Sequence, residues 1–139
     1  MAKVQLLTVQ SIDGYMIDNY NELPAVLSDE IEKLKDAAIR QLNENISLSM
    51  LIDWRENEAD SFTYLIEATK ETRSIINGMF RMHLIDEIVR YTIPVMLGSG
   101  VSLYQQELPK NNWKVVKTAS YNDEMSLTVF RKIKQDLLK

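Results

Sequence analysis

Few residues of this chain are of the types that carry out covalent or metal chemistry. The 139 residues include no cysteine and one histidine, His83. Cysteine nucleophiles, iron–sulfur clusters and zinc sites built from cysteine and histidine are therefore excluded, and no metal site is predicted. A serine–histidine–aspartate triad would have to use His83, and nothing near it supports one. A surface or helix-end position is the simpler interpretation of this histidine.

Two short glycine-containing segments are the best candidates for a site, because each follows a predicted strand. Ser11-Ile12-Asp13-Gly14 follows the first strand and Gly98-Ser99-Gly100 follows a later one. Glycine lets the backbone approach a flat ring or make a turn that brings N–H groups near a ligand. Both segments also have a purely structural interpretation. Asp before Gly often closes a turn with its own side chain, and a glycine pair often makes only a turn.

Composition and charge limit the classes of partner. The chain is 45% hydrophobic and 26% charged, which is typical of one globular domain, here residues 1–139. Its 16 basic and 20 acidic residues give a net charge of −4 without a cluster of Lys or Arg, so nucleic acid is not an expected partner. No apolar stretch approaches the ~20 residues of a membrane span, and the first residues do not resemble a signal peptide. We expect a cytoplasmic protein without a membrane partner.

Alternating strand and helix patterns predict an α/β domain with a mostly parallel sheet. Ligands of such sheets bind beyond the carboxyl ends of the strands. The predicted elements are a buried strand at Val4–Val9, a helix from a Ser28 cap to about Leu42, a strand at Ile46–Ile52, a helix capped by Asp60, a strand at Ser74–Ile76 with a turn at Asn77-Gly78, a short helix at Met79–Ile85, a strand at Glu87–Met96, and a hairpin of Trp113–Tyr121 and Met125–Val129 joined by Asn122-Asp123.

Three segments carry motifs that can be compared with known proteins. The first is Thr8–Met16, a strand with a turn similar to "S-x-D-G-x-I". The second is Leu84–Ile88 followed by Ile93–Tyr104, which is similar to "L-x-D-E-x … P-V-x-L-G-x-G-x-x-L-F", and the third is the hairpin segment Trp113–Ile133. These segments resemble the opening strand and turn, the signature and the closing hairpin of the dihydrofolate reductase-like superfamily, and specifically of its bacterial riboflavin-biosynthesis reductase branch.

The resemblance implies an NADPH-dependent reductase that transfers hydride to a pteridine or a ribosylamino-pyrimidine. It implies a mainly parallel sheet flanked by helices, with an antiparallel C-terminal hairpin. Asp13 is then a catalytic candidate, and the cofactor-binding candidates around the nicotinamide are Ser11, Gly14, Gly98, Ser99 and Gly100. A small-molecule substrate is the expected ligand. A homodimer is also expected, since relatives commonly pair and the last strands leave an edge or face to be covered.

A carboxylate on the helix after the first loop is a further candidate. The superfamily often places one there to bind the pyrimidine edge, and Glu30 and Glu32 hold that place. We take Glu32 as the second catalytic candidate, because a carboxylate accepts two N–H bonds from an amino-pyrimidine. A solvated first helical turn explains the same residues.

The phosphate-binding loops differ from those of the branch. Members carry "G-R-x-T-Y" after the second strand, where this chain is expected to have Met50–Glu56, with Arg55 as the candidate phosphate ligand and Asp53 as an opposing charge. They also carry "G-G" at the start of a later helix. Asn77-Gly78 is the candidate pair. An alternative register puts the strand at Tyr64–Ile66, and no glycine is then kept.

Two functions therefore stay open. The first is an NADPH-dependent reductase of the dihydrofolate or riboflavin-pathway type. The second is a shortened relative that has lost cofactor binding and serves as a small-molecule or protein-binding module. The two phosphate loops are the sequence features that separate them.

Overall fold

A central sheet with helices on both faces forms the protein. The computed structural model describes residues 1–133, and in this range the sheet has six strands and the chain has three helices. Residues 134–139 of the predicted domain lie outside the described residues. The strands are β1 (Lys3–Ser11), β2 (Arg40–Leu42), β3 (Thr63–Glu67), β4 (Glu87–Ile93), β5 (Trp113–Tyr121) and β6 (Met125–Lys132), and the helices are α1 (Ala25–Ala37), α2 (Leu48–Asn57) and α3 (Arg73–Arg81).

The strand order is β2-β3-β1-β4-β6-β5. The first four strands in this order are parallel, β6 is antiparallel to β4, and β5 is antiparallel to β6. This confirms the predicted architecture of a mainly parallel sheet with an antiparallel C-terminal hairpin. The carboxyl ends of the four parallel strands share one edge of the sheet, which we call the carboxyl edge.

The buried strand β1 separates two apolar cores. Val4 and Leu6 face a core with α2 and α3, whereas Leu7 and Val9 face a core with α1. Alternating residues of a strand point to opposite faces, and β1 is apolar on both because helices cover both sides. The prediction that Val4–Val9 is an interior strand is confirmed.

Helix α1 begins and ends earlier than predicted. Its N-cap is Pro24, so Ser28 lies inside the helix and the predicted Ser28 cap is wrong. Proline suits the start of a helix because its φ is already fixed near the helical value and no intrahelical N–H is lost there. The chain is extended again at Ala38, and Leu42, expected as the end of the helix, belongs to β2.

The predicted order of elements in the middle of the chain is also wrong. Most of the expected strand Ile46–Ile52 is helix α2, which starts after Ser47, whose hydroxyl accepts the Met50 N–H at 3.4 Å. The helix expected after Asp60 is instead β3. Short apolar runs do not distinguish a strand from a buried helix by periodicity alone, and packing on the sheet decides between them.

Helix α3 replaces the predicted strand at Ser74–Ile76 and contains Asn77 and Gly78. The alternative register, with Tyr64–Ile66 in a strand, is therefore confirmed. Strand β4 ends at Ile93, before Pro94, rather than at Met96, because proline cannot donate to the next ladder bond.

The C-terminal hairpin has the predicted turn. Asn122 and Asp123 have φ values of 50° and 59° and are the central pair of a turn that the Glu124 N–H closes by donating to the Tyr121 carbonyl at 2.8 Å. The edge strand β5 carries a bulge between Val115 and Lys117. Bulges and lysines discourage pairing with another strand. In residues 1–133, no helix is long and apolar enough to cross a membrane.

Candidate functional site

The side chain of Asp13 joins the two glycine-containing loops at the carboxyl edge. One carboxylate oxygen accepts the N–H of Gly98 at 2.8 Å, and the other accepts the N–H of Leu97 at 3.2 Å. The Ser11 hydroxyl donates to the same carboxylate at 2.5 Å and accepts the Tyr15 N–H at 3.1 Å. Asp13 is thus held from its own turn while it holds the distant loop.

Backbone bonds hold these two loops together on either side of Asp13. Ile12 donates to the Val95 carbonyl at 3.0 Å, and Met16 donates to the Val101 carbonyl at 2.8 Å. These hydrogen bonds join two segments that lie outside the helices and strands. The loops after β1 and β4 are therefore fixed to each other at the carboxyl edge.

The Asp13 carboxylate is stabilised in its charged form. Its pKa lies below the ordinary value of 3.8, mainly because the Ser11 hydroxyl donates to it and also because the Gly98 and Leu97 N–H groups do. Asp13 therefore accepts hydrogen bonds at neutral pH and does not carry a proton there.

The glycines of both loops have conformations that other residues avoid. Gly14 and Gly98 have φ values of +87° and +75°, with open space where a Cβ would stand. Gly100 has φ +148°, and a Cβ there would lie 3.2 Å from Cβ of Tyr15. Ser99 lies exposed between the two loop glycines.

A cleft of about 570 Å³ opens beside these loops, and we call it the carboxyl-edge cleft. Its walls come from the segment after β1, the segment after β4 and the loop before α3. The volume and the mainly apolar walls are those of a small-molecule site. The apolar residues that line it are Met16, Ile17, Leu23, Ile93, Val95, Leu97 and Val101.

Polar groups stand at the rim of the cleft. Asp18, Glu22 and Lys70 line it, and Asp18 accepts the backbone N–H of Lys70 at 3.3 Å. Two carboxylates against one ammonium make the rim acidic. Such a rim favours a ligand that presents N–H donors.

Glu32 does not lie at this cleft. It is exposed on α1, and its helix has no acidic residue in its first turn. Glu30 lines a different groove, where it accepts a hydrogen bond from Tyr121. The expected carboxylate on α1 is therefore not brought to the cleft, because α1 begins three residues before Ser28 and turns both residues elsewhere. Glu22, just before the helix, is the acid near that place.

Arg55 is not on a phosphate loop. It lies in α2 with a side chain 7% exposed, and it donates to the Asp86 carboxylate at 2.7 Å and to the Leu84 carbonyl at 3.3 Å. Asp86 precedes β4, so this ion pair is at the edge opposite the cleft. The expectation that Arg55 binds a cofactor phosphate from a loop is wrong, since its guanidinium is buried in a structural contact.

Asn77 and Gly78 do not form a loop either. Asn77 is fully buried in α3, where its amide donates to the carbonyls of Arg73 and Leu103 and accepts the N–H of Gln105 at 2.9 Å. Its side chain fastens the segment after β4 to the helix. Gly78 lies where α3 crosses α2, and a Cβ at Gly78 would be 3.5 Å from the Leu48 side chain. Both residues are therefore structural and far from a helix N-terminus.

The segments that do precede α2 and α3 at the carboxyl edge do not fit the phosphates of NADPH. They read Asn43–Ser47 and Ala68–Thr72. Neither contains a glycine or an arginine, each contains a glutamate, and their single cation is Lys70. Their N–H groups are also used internally, since Thr69 and Thr72 each donate from the backbone to the other's hydroxyl at 2.9 and 3.1 Å. Carboxylates and occupied donors oppose phosphate binding.

The rim carboxylates of the cleft, Asp18 and Glu22, were not among the predicted site residues. They lie in a stretch without helical or strand periodicity, so the pattern assigned them no position. Pro24 is the signal that places Glu22 just before α1. Among residues 1–133, no three His, Cys, Asp or Glu side chains are grouped so that they could hold a metal ion.

Sequence comparison finds no matching family model and no matching curated protein. Solved structures do match. A protein assigned to riboflavin biosynthesis in Shewanella sp. PV-4 is 16% identical with a TM-score of 0.57, over 96% of this chain and 100% of that one. Dihydrofolate reductase of Enterococcus faecalis, solved with NADP(H), is 9% identical with a TM-score of 0.62, over 95% of this chain and 97% of that one.

RibD of Acinetobacter baumannii has the same fold over part of its length. It is 12% identical with a TM-score of 0.64 over 96% of this chain, and this chain spans 58% of that protein. At such identities the likeness concerns the fold. It confirms the predicted fold: the chain has the dihydrofolate reductase-like fold.

Proposed function

We propose that this protein binds a small, flat, nitrogen-containing heterocycle in the carboxyl-edge cleft, without the dinucleotide phosphate contacts of reductases that share its fold. The observation that carries this proposal is the clamp of Asp13 on Leu97 and Gly98. The clamp holds the apolar wall of the cleft in place, while the loops before α2 and α3 do not suit phosphates.

The chemistry of the cleft supports a neutral or protonated ring with exocyclic N–H groups. Apolar side chains such as Ile93 and Val101 suit the faces of a ring. The carboxylates of Asp18 and Glu22 suit its N–H edge, as a carboxylate accepts two parallel N–H bonds from an amino-pyrimidine. A phosphate-bearing ligand would meet an acidic rim and is disfavoured.

Pterin is a suitable probe, because it is fluorescent and carries an amino-pyrimidine edge. We expect its emission to change on titration with the protein, and we expect Glu22→Gln to weaken binding by about tenfold, the scale of one charge-assisted hydrogen bond. Asp36→Asn removes a carboxylate at the far end of α1 and serves as the matched control, with unchanged affinity. No emission change at high protein concentration would reject the proposal.

A second candidate is NADPH-dependent reduction of a pteridine or a ribosylamino-pyrimidine. It is favoured by one observation: the Ser11–Gly14 and Gly98–Gly100 loops meet at one edge beside the cleft. The test compares NADPH with reduced nicotinamide mononucleotide, which lacks the adenosine half. Tighter binding of NADPH, with faster oxidation when dihydrofolate is added, would establish the reductase. No fluorescence change at saturating NADPH would exclude it.

A further inference from the structure

A second groove lies on the sheet face that carries α1. It has a volume of about 570 Å³ and runs between α1 and the edge strand β5. We call it the sheet groove. Its floor is apolar, formed by Val89 of β4 and by Leu127 and Val129 of β6, while Leu34 and Val116 line its walls. It shares no lining residue with the carboxyl-edge cleft.

One end of the sheet groove holds a carboxylate shared by two cations. Glu87, whose side chain is 6% exposed, accepts from Lys3 at 3.3 Å and from Arg131 at 3.2 Å through one oxygen. Its other oxygen accepts the Gln5 amide at 2.7 Å. The carboxylate is fully satisfied, so this end of the groove has one surplus positive charge.

The walls add further positive charge. Glu30 accepts from the Tyr121 hydroxyl and lies 3.9 Å from Lys33. The side-chain ammonium of Lys117, on the opposite wall, has no ion pair or hydrogen bond with any residue in the range 1–133. In total the groove is lined by four cationic side chains and two carboxylates, although the net charge of the whole chain is −4. The excess of positive charge is therefore local to this groove.

An apolar floor with a cationic rim is complementary to a molecule with an apolar body and an anionic group. A second copy of the chain fits this groove less well. A twofold interface places the same patch on both sides, and would bring Lys33, Lys117 and their symmetry mates together. Charge complementarity therefore favours an anionic ligand over self-association here.

We propose that the sheet groove binds a small amphiphilic anion, an aromatic or aliphatic body that carries a carboxylate or sulfonate. The body lies on Val89, Leu127 and Val129, and the anionic group lies beside the lysine rim. This site is independent of the heterocycle proposed for the carboxyl-edge cleft.

The test uses two fluorescent probes that differ in the anionic group. Anilinonaphthalene sulfonate carries a sulfonate, and N-phenylnaphthylamine is its uncharged counterpart. We expect the sulfonate to bind more tightly than the uncharged probe. We expect the double variant Lys33→Gln/Lys117→Gln to weaken sulfonate binding by about tenfold, because both lysines that attract the anionic group are lost. Binding of the uncharged probe is expected to stay the same.

Lys110→Gln removes an exposed lysine in the loop before β5 and is the matched control. It should bind both probes as the unmodified protein does, and the near-ultraviolet circular dichroism of all variants should be unchanged. Equal loss in Lys110→Gln, or equal affinity for the two probes, would overturn the proposal. So would a dimer in sedimentation that dissociates on Lys117→Glu, because the groove would then belong to a second copy.

Discussion

The carboxylate of Asp13 lies 2.8 Å from the backbone nitrogen of Gly98, a residue 85 positions later in the chain. This contact fastens the turn after β1 to the segment after β4, and both form the walls of the cleft. The Asp13 side chain, together with the backbone bonds from Ile12 and Met16, therefore joins the two walls of the candidate site.

The Asp13 contact predicts a pH dependence of binding. The pKa of Asp13 is lowered from 3.8 in the folded protein. The contact therefore stabilises the folded protein fully above pH 3.8, and this stabilisation is lost as the pH falls through the lower pKa of the folded state. Pterin binding should therefore be constant from neutral pH down to mild acid. Asp13→Asn should bind more weakly at neutral pH, with faster hydrogen exchange at the Leu97 and Gly98 amides. Unchanged exchange would contradict the clamp.

Arg55 should be important for stability and unimportant for ligand binding. Arg55→Met leaves Asp86 in a half-buried site without its ion pair, which should lower the free energy of unfolding by about 3 kcal/mol. Chemical denaturation measures this loss. Pterin affinity measured well below the melting temperature should not change. A selective loss of ligand binding at unchanged stability would return Arg55 to a functional role.

Asn77 should stabilise the segment after β4. Asn77→Ala leaves the buried carbonyl of Leu103 and the partly buried N–H of Gln105 without their partner, and should cost about 2 kcal/mol of unfolding free energy. Asn57→Ala removes an exposed amide that donates to the Asp53 carbonyl, and is the matched control with a change below about 0.5 kcal/mol. Equal effects in the two variants would argue against the anchoring role.

Gly78 and Gly98 should respond oppositely to alanine. At Gly78 the new methyl meets Leu48 at an ordinary contact distance inside a helix, so Gly78→Ala should stabilise the protein by up to ~1 kcal/mol. At Gly98 the φ of +75° disfavours any side chain, so Gly98→Ala should cost about 1 kcal/mol and weaken pterin binding. Paired melting curves test the two signs.

The sequence predicted the elements near the two ends of the chain better than those in its middle. β1, β4 and the Asn122-Asp123 turn have strong local signals, and the structure has them where these signals lie. The apolar run at Ile46–Ile52 has no clear period, and only its contact with the sheet makes it a helix. The Asn77-Gly78 pair was also misleading. A dipeptide of a type common in turns can be buried in a helix when its side-chain amide finds partners in another segment.

The site could be predicted in position but not in its contacts. The motifs placed Asp13 and Gly98 at the same edge of a parallel sheet, and the structure brings them together there. That the Asp13 carboxylate accepts the Gly98 N–H depends on the path of the chain between them. Glu22 could not be assigned, since its place depends on where α1 begins.

We propose that the protein forms a homodimer and that the edge strand β5 provides the interface. Val115 on the edge strand β5 is 57% exposed and lies on the face opposite the sheet groove. We expect a pair of 16.1 kDa chains in sedimentation at micromolar concentration, and a monomer for Val115→Lys. A monomer of the unmodified protein under these conditions would contradict this expectation.

The central position of β1 has a consequence for the folding of the chain. Lys3 pairs with Thr63, and Gln5 pairs with Glu87, so the most buried strand pairs only with segments that lie far along the chain. Closing such long loops is slow, and an unpaired apolar strand is a site for association with other chains. Refolding should therefore be slow for a domain of this size, and its yield should fall as the protein concentration rises.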